Sequence, residues 1–276
     1  MIDLMIPRSF LENLCCPSCL GSLITEDSDT EELQNGSLYC PKCNHNFNIK
    51  KGIPNLVIPE DIQEKDAIFS QQADDYGRYY DKLLKAAGIL TFTWDVFNRK
   101  KHVQNLAIKE GDCVLDISTG TGLNLFPIRK IIGETGTLVG LDLSLGMLSI
   151  TRKKILKKKV RNLQLHRANA CYLPYKDNTF DGVMHSGGIN TFSDKTRAIR
   201  EMLRVVKTGE SIVISDEGLS PKRRRTRYGK LLIQMNSLYL SSPPINHIPQ
   251  KIPYNLKYIW GETFYLLSLT KPKILH

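Results

Sequence analysis

The chain has 276 residues, 41% of them apolar and 24% charged, enough for one sizeable core and a small accessory module, which excludes a disordered or fibrous protein. No apolar run approaches the roughly eighteen residues that cross a bilayer, so a helical membrane span is not expected and only peripheral membrane contact stays open. The formal net charge of +10 is uneven: residues 1–60 hold four of the 38 Lys/Arg and eight of the 28 Asp/Glu, which leaves +14 on the remainder.

Near the start, Cys16-Pro-Ser-Cys19 and Cys40-Pro-Lys-Cys43 form two C-x2-C pairs twenty residues apart. Four thiolates at this spacing close a tetrahedron around Zn2+, each pair on a turn tight enough to aim both sulfurs inward. With all four positions filled by sulfur no site stays open for water, so the expected metal is structural. Met1-Ile-Asp-Leu has no basic-then-apolar secretory pattern, which favours free thiols in a reducing, cytoplasmic setting over disulfides. Cys15 is a spare beside Cys16. The extended Pro54–Pro59 stretch and the charged residues after it place the end of a zinc-ribbon module near residue 59. A helical linker or lid over 60–105 and a main domain over 106–276 follow. Within the lid, the aromatic segment Phe69–Tyr80 reads as an amphipathic helix packing its rings on a sheet, or as a cover whose tyrosine faces stabilise a cation.

The main domain opens on Val114-Leu-Asp-Ile-Ser-Thr-Gly-Thr-Gly-Leu123, where an apolar run stops at Asp116 and a small, glycine-rich turn leads into a helical pattern. Gly120 and Gly122 let backbone approach a ligand closely, and Asp142 ends the next apolar run, where a ribose-binding acid is expected. Leu125 stands where a dinucleotide fingerprint has its third glycine, which disfavours a pyrophosphate cofactor. Strand-like runs at 112–117, 138–142, 163–167, 180–185 and 211–215 alternate with helical patterns and predict a parallel sheet. Ser193-Asp194 caps a helix whose Ala198, Ile199, Met202, Leu203 and Val206 make one apolar stripe. Leu256–Trp260, a Gly261-Glu262 turn and Phe264–Leu269 read as a closing hairpin.

Two basic clusters stand out. Arg152–Arg161 continues the helix that starts near Ser144, with Ile155 and Leu156 inward, and reads as a solvated face. Lys222–Arg227 follows strand five, at the end of the sheet where ligands bind, and precedes apolar residues 231–240. Phosphates of RNA, anionic lipid heads and plain solvent all suit it.

Asp116–Gly122 resembles the first motif of class I S-adenosylmethionine (SAM) methyltransferases, and the resemblance continues through Asp142–Met147, Asn169-Ala170, Phe180–Val183 and Arg200–Gly209, covering roughly residues 70 to 270. The flavour is similar to ubiquinone and menaquinone C-methyltransferases, which carry a small residue where Ser118 stands. Ser118 replaces a commoner glycine and Asn169 a usual aspartate. The resemblance implies an α/β, Rossmann-like, mostly parallel sheet with an antiparallel last strand. It also implies SAM contacts from Asp116, Ser118, Thr119, Gly120, Gly122, Asp142, Leu143, Met147, Asn169, Ala170 and His185, with Tyr76 from the covering segment. Gly21–Leu23, Phe47–Ile49 and Gly52–Leu56 resemble zinc-ribbon modules ahead of some methyltransferases, including certain ribosomal-RNA guanine methyltransferases.

A sulfonium donor already carries its leaving group, so methyl transfer needs alignment and exclusion of water more than a catalytic triad. Where the acceptor carries a proton a base helps: His185 at the end of strand four is one candidate, Asp216-Glu217 after strand five could bind or deprotonate a substrate oxygen, and Asn190 could orient one. A strand-end histidine equally serves as a structural hydrogen-bonder, and Cys113 and Cys171 read as packing residues. Three readings stand open: a methyltransferase for a small, lipophilic molecule; an RNA base methyltransferase that holds its substrate with the ribbon and basic surface; and a non-catalytic SAM-binding adaptor.

Overall fold

The computed structural model describes residues 4–25, 31–90 and 99–273. Residues 91–98 of the expected lid, and the Tyr80 side chain, lie outside the described residues.

The N-terminal module is built from short pieces: β1 (Ile6–Pro7), α1 (Arg8–Leu11), β2 (Glu32–Leu33), β3 (Gly36–Tyr39), β4 (Asn46–Lys50) and β5 (Ile53–Pro54). β4 alternates exposed and buried residues, turning Phe47 and Ile49 inward. So small a unit buries little on its own. It is completed by the main sheet, since Phe10, Leu14, Leu56 and Ile58 share one apolar cluster with Leu173, Tyr175 and Phe180.

Beyond it come α2 (Glu64–Leu90), α3 (Arg99–Val103), β6 (Cys113–Ile117), α4 (Leu125–Ile132), β7 (Thr137–Asp142), α5 (Leu145–Lys158) and β8 (Leu163–Arg167). β9 (Phe180–Ser186), α6 (Lys195–Val205), β10 (Val206–Glu217), α7 (Pro221–Arg224), α8 (Arg227–Met235), β11 (Tyr254–Ile259) and β12 (Phe264–Thr270) complete the chain. The main sheet has seven strands in the order β11-β12-β10-β9-β6-β7-β8. β6 to β10 pair in parallel, and β12 runs antiparallel to β10 from Ser211↔Thr270 to Glu217↔Phe264. The mostly parallel sheet with an antiparallel last strand is the one expected. β10 starts earlier than its apolar run suggested because Val206 already pairs with Phe180, with a register shift before Ser211. The hairpin turn is also longer, and Trp260, Gly261 and Glu262 all take left-handed φ.

The strand order reverses at β6, whose neighbours β9 and β7 lead to opposite ends of the sheet, so a crevice opens at the carboxyl ends of these strands. The module sits at the β8 side of that crevice. Asn55 bridges Arg167 in parallel, Leu56 N–H donates to the Arg167 carbonyl at 2.8 Å, and Cys15 N–H donates to the Pro174 carbonyl at 3.0 Å. Arg152 Nε donates to the Lys51 carbonyl, tying α5 to the module as well.

Candidate active site

The loop after β6 is fixed from below. Asp116 is fully buried, accepting from Thr119 Oγ1 at 2.8 Å and Asn124 Nδ2 at 3.2 Å. Burial pushes its carboxyl up to about 6, opposed by those two donors. Ser118, Gly120 and Gly122 all take left-handed φ, of 54°, 53° and 80°. A Cβ on Gly122 would lie 2.8 Å from Thr151 Cγ2, so that glycine is required by conformation and space together. At Ser118 a non-glycine residue carries the strain of the same turn.

Asp142, at the tip of β7, accepts the Gly120 amide at 2.7 Å and the Ser144 amide at 2.9 Å. Surrounding protein raises its carboxyl to about 6, chiefly by burial and against those amides, although one side stays open to the crevice. Asn169 Oδ1 accepts the Cys171 amide, and its Nδ2 donates to the Asp61 carbonyl.

A cavity of about 370 Å³ runs across these tips, in the size range of small-ligand sites. In strand order it meets Asn169 and Ala170 after β8, Asp142 and Leu143 after β7, Ser118 and Gly120 after β6, Gly187, Gly188, Thr191 and Phe192 after β9, and Glu217 at the end of β10. Four strand spacings separate its ends, roughly 19 Å. Met147 from α5, Phe69 and Ala73 from α2, and Leu238 complete a largely apolar wall.

Helix α2 holds the cover with three carboxylates that sequence reading missed. Asp66 accepts from the Ser193 amide and hydroxyl. Asp74 accepts from the Gly146 amide at 2.7 Å and from the Ser144 hydroxyl, capping α5. Asp81 accepts from Thr121 Oγ1 at 2.5 Å and pairs with Lys154, which also donates to the Thr121 carbonyl. Their spacing of eight and seven residues puts all three on one helix face, the only local signal that could have found them. Lys154 therefore leaves the solvated face expected for its cluster.

Of the expected cofactor residues, Ser118, Gly120, Asp142, Leu143, Met147, Asn169 and Ala170 line the cavity, while Asp116, Thr119 and Gly122 shape the loop beneath it. Tyr76 does not reach it. From α2 the cavity takes Asp66, Phe69, Ser70 and Ala73, whereas Tyr76, one turn further along, is 62% exposed and does not line it. The aromatic at the cavity is Phe69.

The catalytic candidates are redistributed too. His185 is fully buried, edge-on to Phe192, and does not line the cavity; burial pushes its imidazole down to about 4, opposed by the Ile117 backbone. Asn190 spends its side chain on the Glu217 carbonyl at 2.7 Å and the Tyr265 hydroxyl at 3.0 Å. Asp216 accepts the Gly188 and Asn190 amides at 3.1 and 2.8 Å and holds the turn after β9, its carboxyl raised well above the usual range by burial and by Glu217. Of this adjacent pair, Glu217, facing the other way, is the one that lines the cavity.

The four cysteines converge. Cys16–Cys43, Cys19–Cys40 and Cys19–Cys43 sulfurs lie 3.5, 3.5 and 3.3 Å apart, and all four lie within 4.8 Å of one another. A tetrahedron of 2.3 Å zinc–sulfur bonds sets sulfurs about 3.8 Å apart, so the set fits that metal. The two turns repeat one geometry: Leu20 N–H donates to the Cys16 carbonyl and Asn44 N–H to the Cys40 carbonyl, both at 2.8 Å, with Leu20 and Asn44 both left-handed.

A switch-point crevice floored by a glycine loop, with an acid on the next strand, is the architecture of the class I SAM-dependent methyltransferase fold. Residues 63–220, more than half of the chain, match the ubiE/COQ5 methyltransferase family, and the chain belongs to that family. Residues 8–52 match the family described as Trm112p-like protein. Demethylmenaquinone methyltransferases of Shouchella clausii and Oceanobacillus iheyensis are 37% and 34% identical over 115 and 134 residues, 42% and 49% of this chain. The matched regions make up 49% and 56% of those relatives, so the chain spans about half the length of the curated relatives it matches. Among solved structures, phosphoethanolamine N-methyltransferase 2 of Haemonchus contortus, in complex with S-adenosyl-L-methionine, superposes with a TM-score of 0.53 at 16% identity, over 66% of this chain and 57% of that one. A Methanococcus maripaludis candidate S-adenosyl-L-methionine-dependent methyltransferase gives 0.50 at 19% identity, over 78% and 98%. These two share the fold.

Proposed function

We propose that the protein transfers the SAM methyl group to a small, lipophilic, quinone-like acceptor. The order of residues along the cavity carries the reading. Asn169 and Ala170 hold the adenine, Asp142 accepts from the ribose hydroxyls, and the Ser118–Gly120 turn receives the amino-acid end. The methyl group then points past β9 toward Phe192, Leu238, Thr191 and Glu217. The polar groups at that acceptor end are Thr191, Glu217 and Asp66; Ser193 already engages Asp66, so Glu217 is the carboxylate placed to accept the proton of a ring hydroxyl. The demethylmenaquinone methyltransferase relatives support the same substrate class.

Zn2+ in the four-cysteine set is the structural metal of this reading, holding residues 8–52 against the β8 edge, and thiolate ligation supports a cytoplasmic setting. No helix among the described residues is long and apolar enough to cross a membrane. Incubation with methyl-labelled SAM and separate extracts of lipids, polar metabolites and total RNA tests the proposal. Label in the lipid extract is expected; label confined to RNA overturns it.

A further inference from the structure

Between Glu217 and Glu262 the sequence contains no acidic residue and eight Lys/Arg: Lys222, Arg223, Arg224, Arg225, Arg227, Lys230, Lys251 and Lys257. One segment of 44 residues thus carries +8 of a net +10. Two of these cations work internally. Arg223 stacks over Tyr228, and Arg224 donates to the Leu219 and Ser241 carbonyls. Lys222, Arg225, Arg227 and Lys230 are exposed. Arg227 and Lys230 occupy the first turn of α8, where a cation opposes the helix dipole, so helix stability does not account for them.

Along α8 the exposed residues are Arg227, Lys230, Leu231, Gln234 and Met235, spaced i, i+3, i+4, i+7 and i+8, which is one outward face. Its beginning is basic and its end apolar, with Leu231 and Met235 51% and 53% exposed. The 3-10 turn Ser237–Leu240 continues it: Leu240 is 53% exposed, while Leu238 lines the cavity. The apolar end of the face is therefore continuous with the wall of the acceptor end.

We propose that α8 and the turn after it dock the enzyme on an anionic lipid bilayer, cations on the headgroups and Leu231, Met235 and Leu240 in the acyl boundary. A basic stretch beside aliphatic side chains is the pattern such a surface binds. An RNA site would present aromatic platforms for bases, and this outward face presents none. The purpose of docking, delivery of a lipophilic acceptor to the cavity, rests on the function proposed above; the docking itself does not.

Cosedimentation of the full chain with phosphatidylcholine vesicles, with and without phosphatidylglycerol, tests it. Binding to the anionic vesicles is expected, weakened about a hundredfold in R225Q/R227Q/K230Q. A loss of about tenfold is expected in L231Q/M235Q, with circular dichroism and SAM affinity unchanged. No binding to anionic vesicles, or equal binding by L231Q/M235Q, overturns the proposal. So does a surface that takes up single-stranded RNA in preference to vesicles and loses it only in the charge variant. Vesicle binding without label in the lipid extract sinks the acceptor reading and leaves docking standing; label in the lipid extract without vesicle binding does the reverse.

Discussion

Asp142 accepts the backbone amide of Gly120 at 2.7 Å, so the acid at the tip of β7 and the turn after β6 hold each other in place before any ligand arrives. The turn needs that partner because its residues sit in left-handed backbone, which costs roughly 1–2 kcal/mol wherever a side chain is present. In the proposed complex the acid's remaining lone pairs accept from the sugar hydroxyls, in a position the turn has already set.

The same carboxyl gives cofactor binding a pH dependence. Its value in the free protein is about 6, and hydroxyl donors in the complex favour the charged form and lower it. Affinity is thus fully present above pH 6 and falls as pH drops through it. A loss of about tenfold in SAM affinity is expected between pH 7.5 and 5, read by calorimetry. The profile of Asp142→Asn should be flat.

Gly122→Ala places a Cβ 2.8 Å from Thr151 Cγ2 at a φ of 80°. Thr151 cannot withdraw freely, since its hydroxyl donates to the Gly120 carbonyl at 2.7 Å. The expected cost is about 2–4 kcal/mol in chemical denaturation, with weaker SAM binding.

Glu217→Gln keeps the shape of the cavity and removes the proposed base. A fall in kcat of about a hundredfold or more, with SAM affinity unchanged, is expected from steady-state kinetics beside calorimetry. The corresponding change at His185, which does not line the cavity, should lower stability more than it lowers kcat at equal folding.

Metal removal should act on both parts of the molecule. Cys40→Ser, or chelation of the wild type, is expected to cost about 4 kcal/mol, roughly 10 °C in melting temperature, and to expose the amides bonded across Leu56 and Arg167 to hydrogen exchange. Metal analysis of the wild type should give one zinc per chain.

The features legible in the sequence are those whose chemistry depends on near neighbours. Two C-x2-C turns, a glycine loop and an acid ending a strand keep their meaning wherever the chain goes, and each stands where its spacing placed it. What escaped depends on distance or on a single register step. Asp66, Asp74 and Asp81 act on residues 127, 70 and 40 positions away and look like ordinary charges on a polar helix. Asp216 and Glu217 are adjacent and chemically alike; the pleat alone sends one into the turn and the other into the cavity. Tyr76 was placed by the resemblance of its aromatic segment to a cofactor cover, and the cavity meets Phe69, two turns earlier on the same helix, instead.

Isothermal calorimetry of SAM and of S-adenosylhomocysteine on zinc-replete protein, wild type against Asp142→Ala, bears most directly on the cofactor site. Micromolar binding by the wild type, weakened about a hundredfold or more in the variant, is the predicted result. Absence of heat with a folded wild type, or equal affinity in the two proteins, would contradict it.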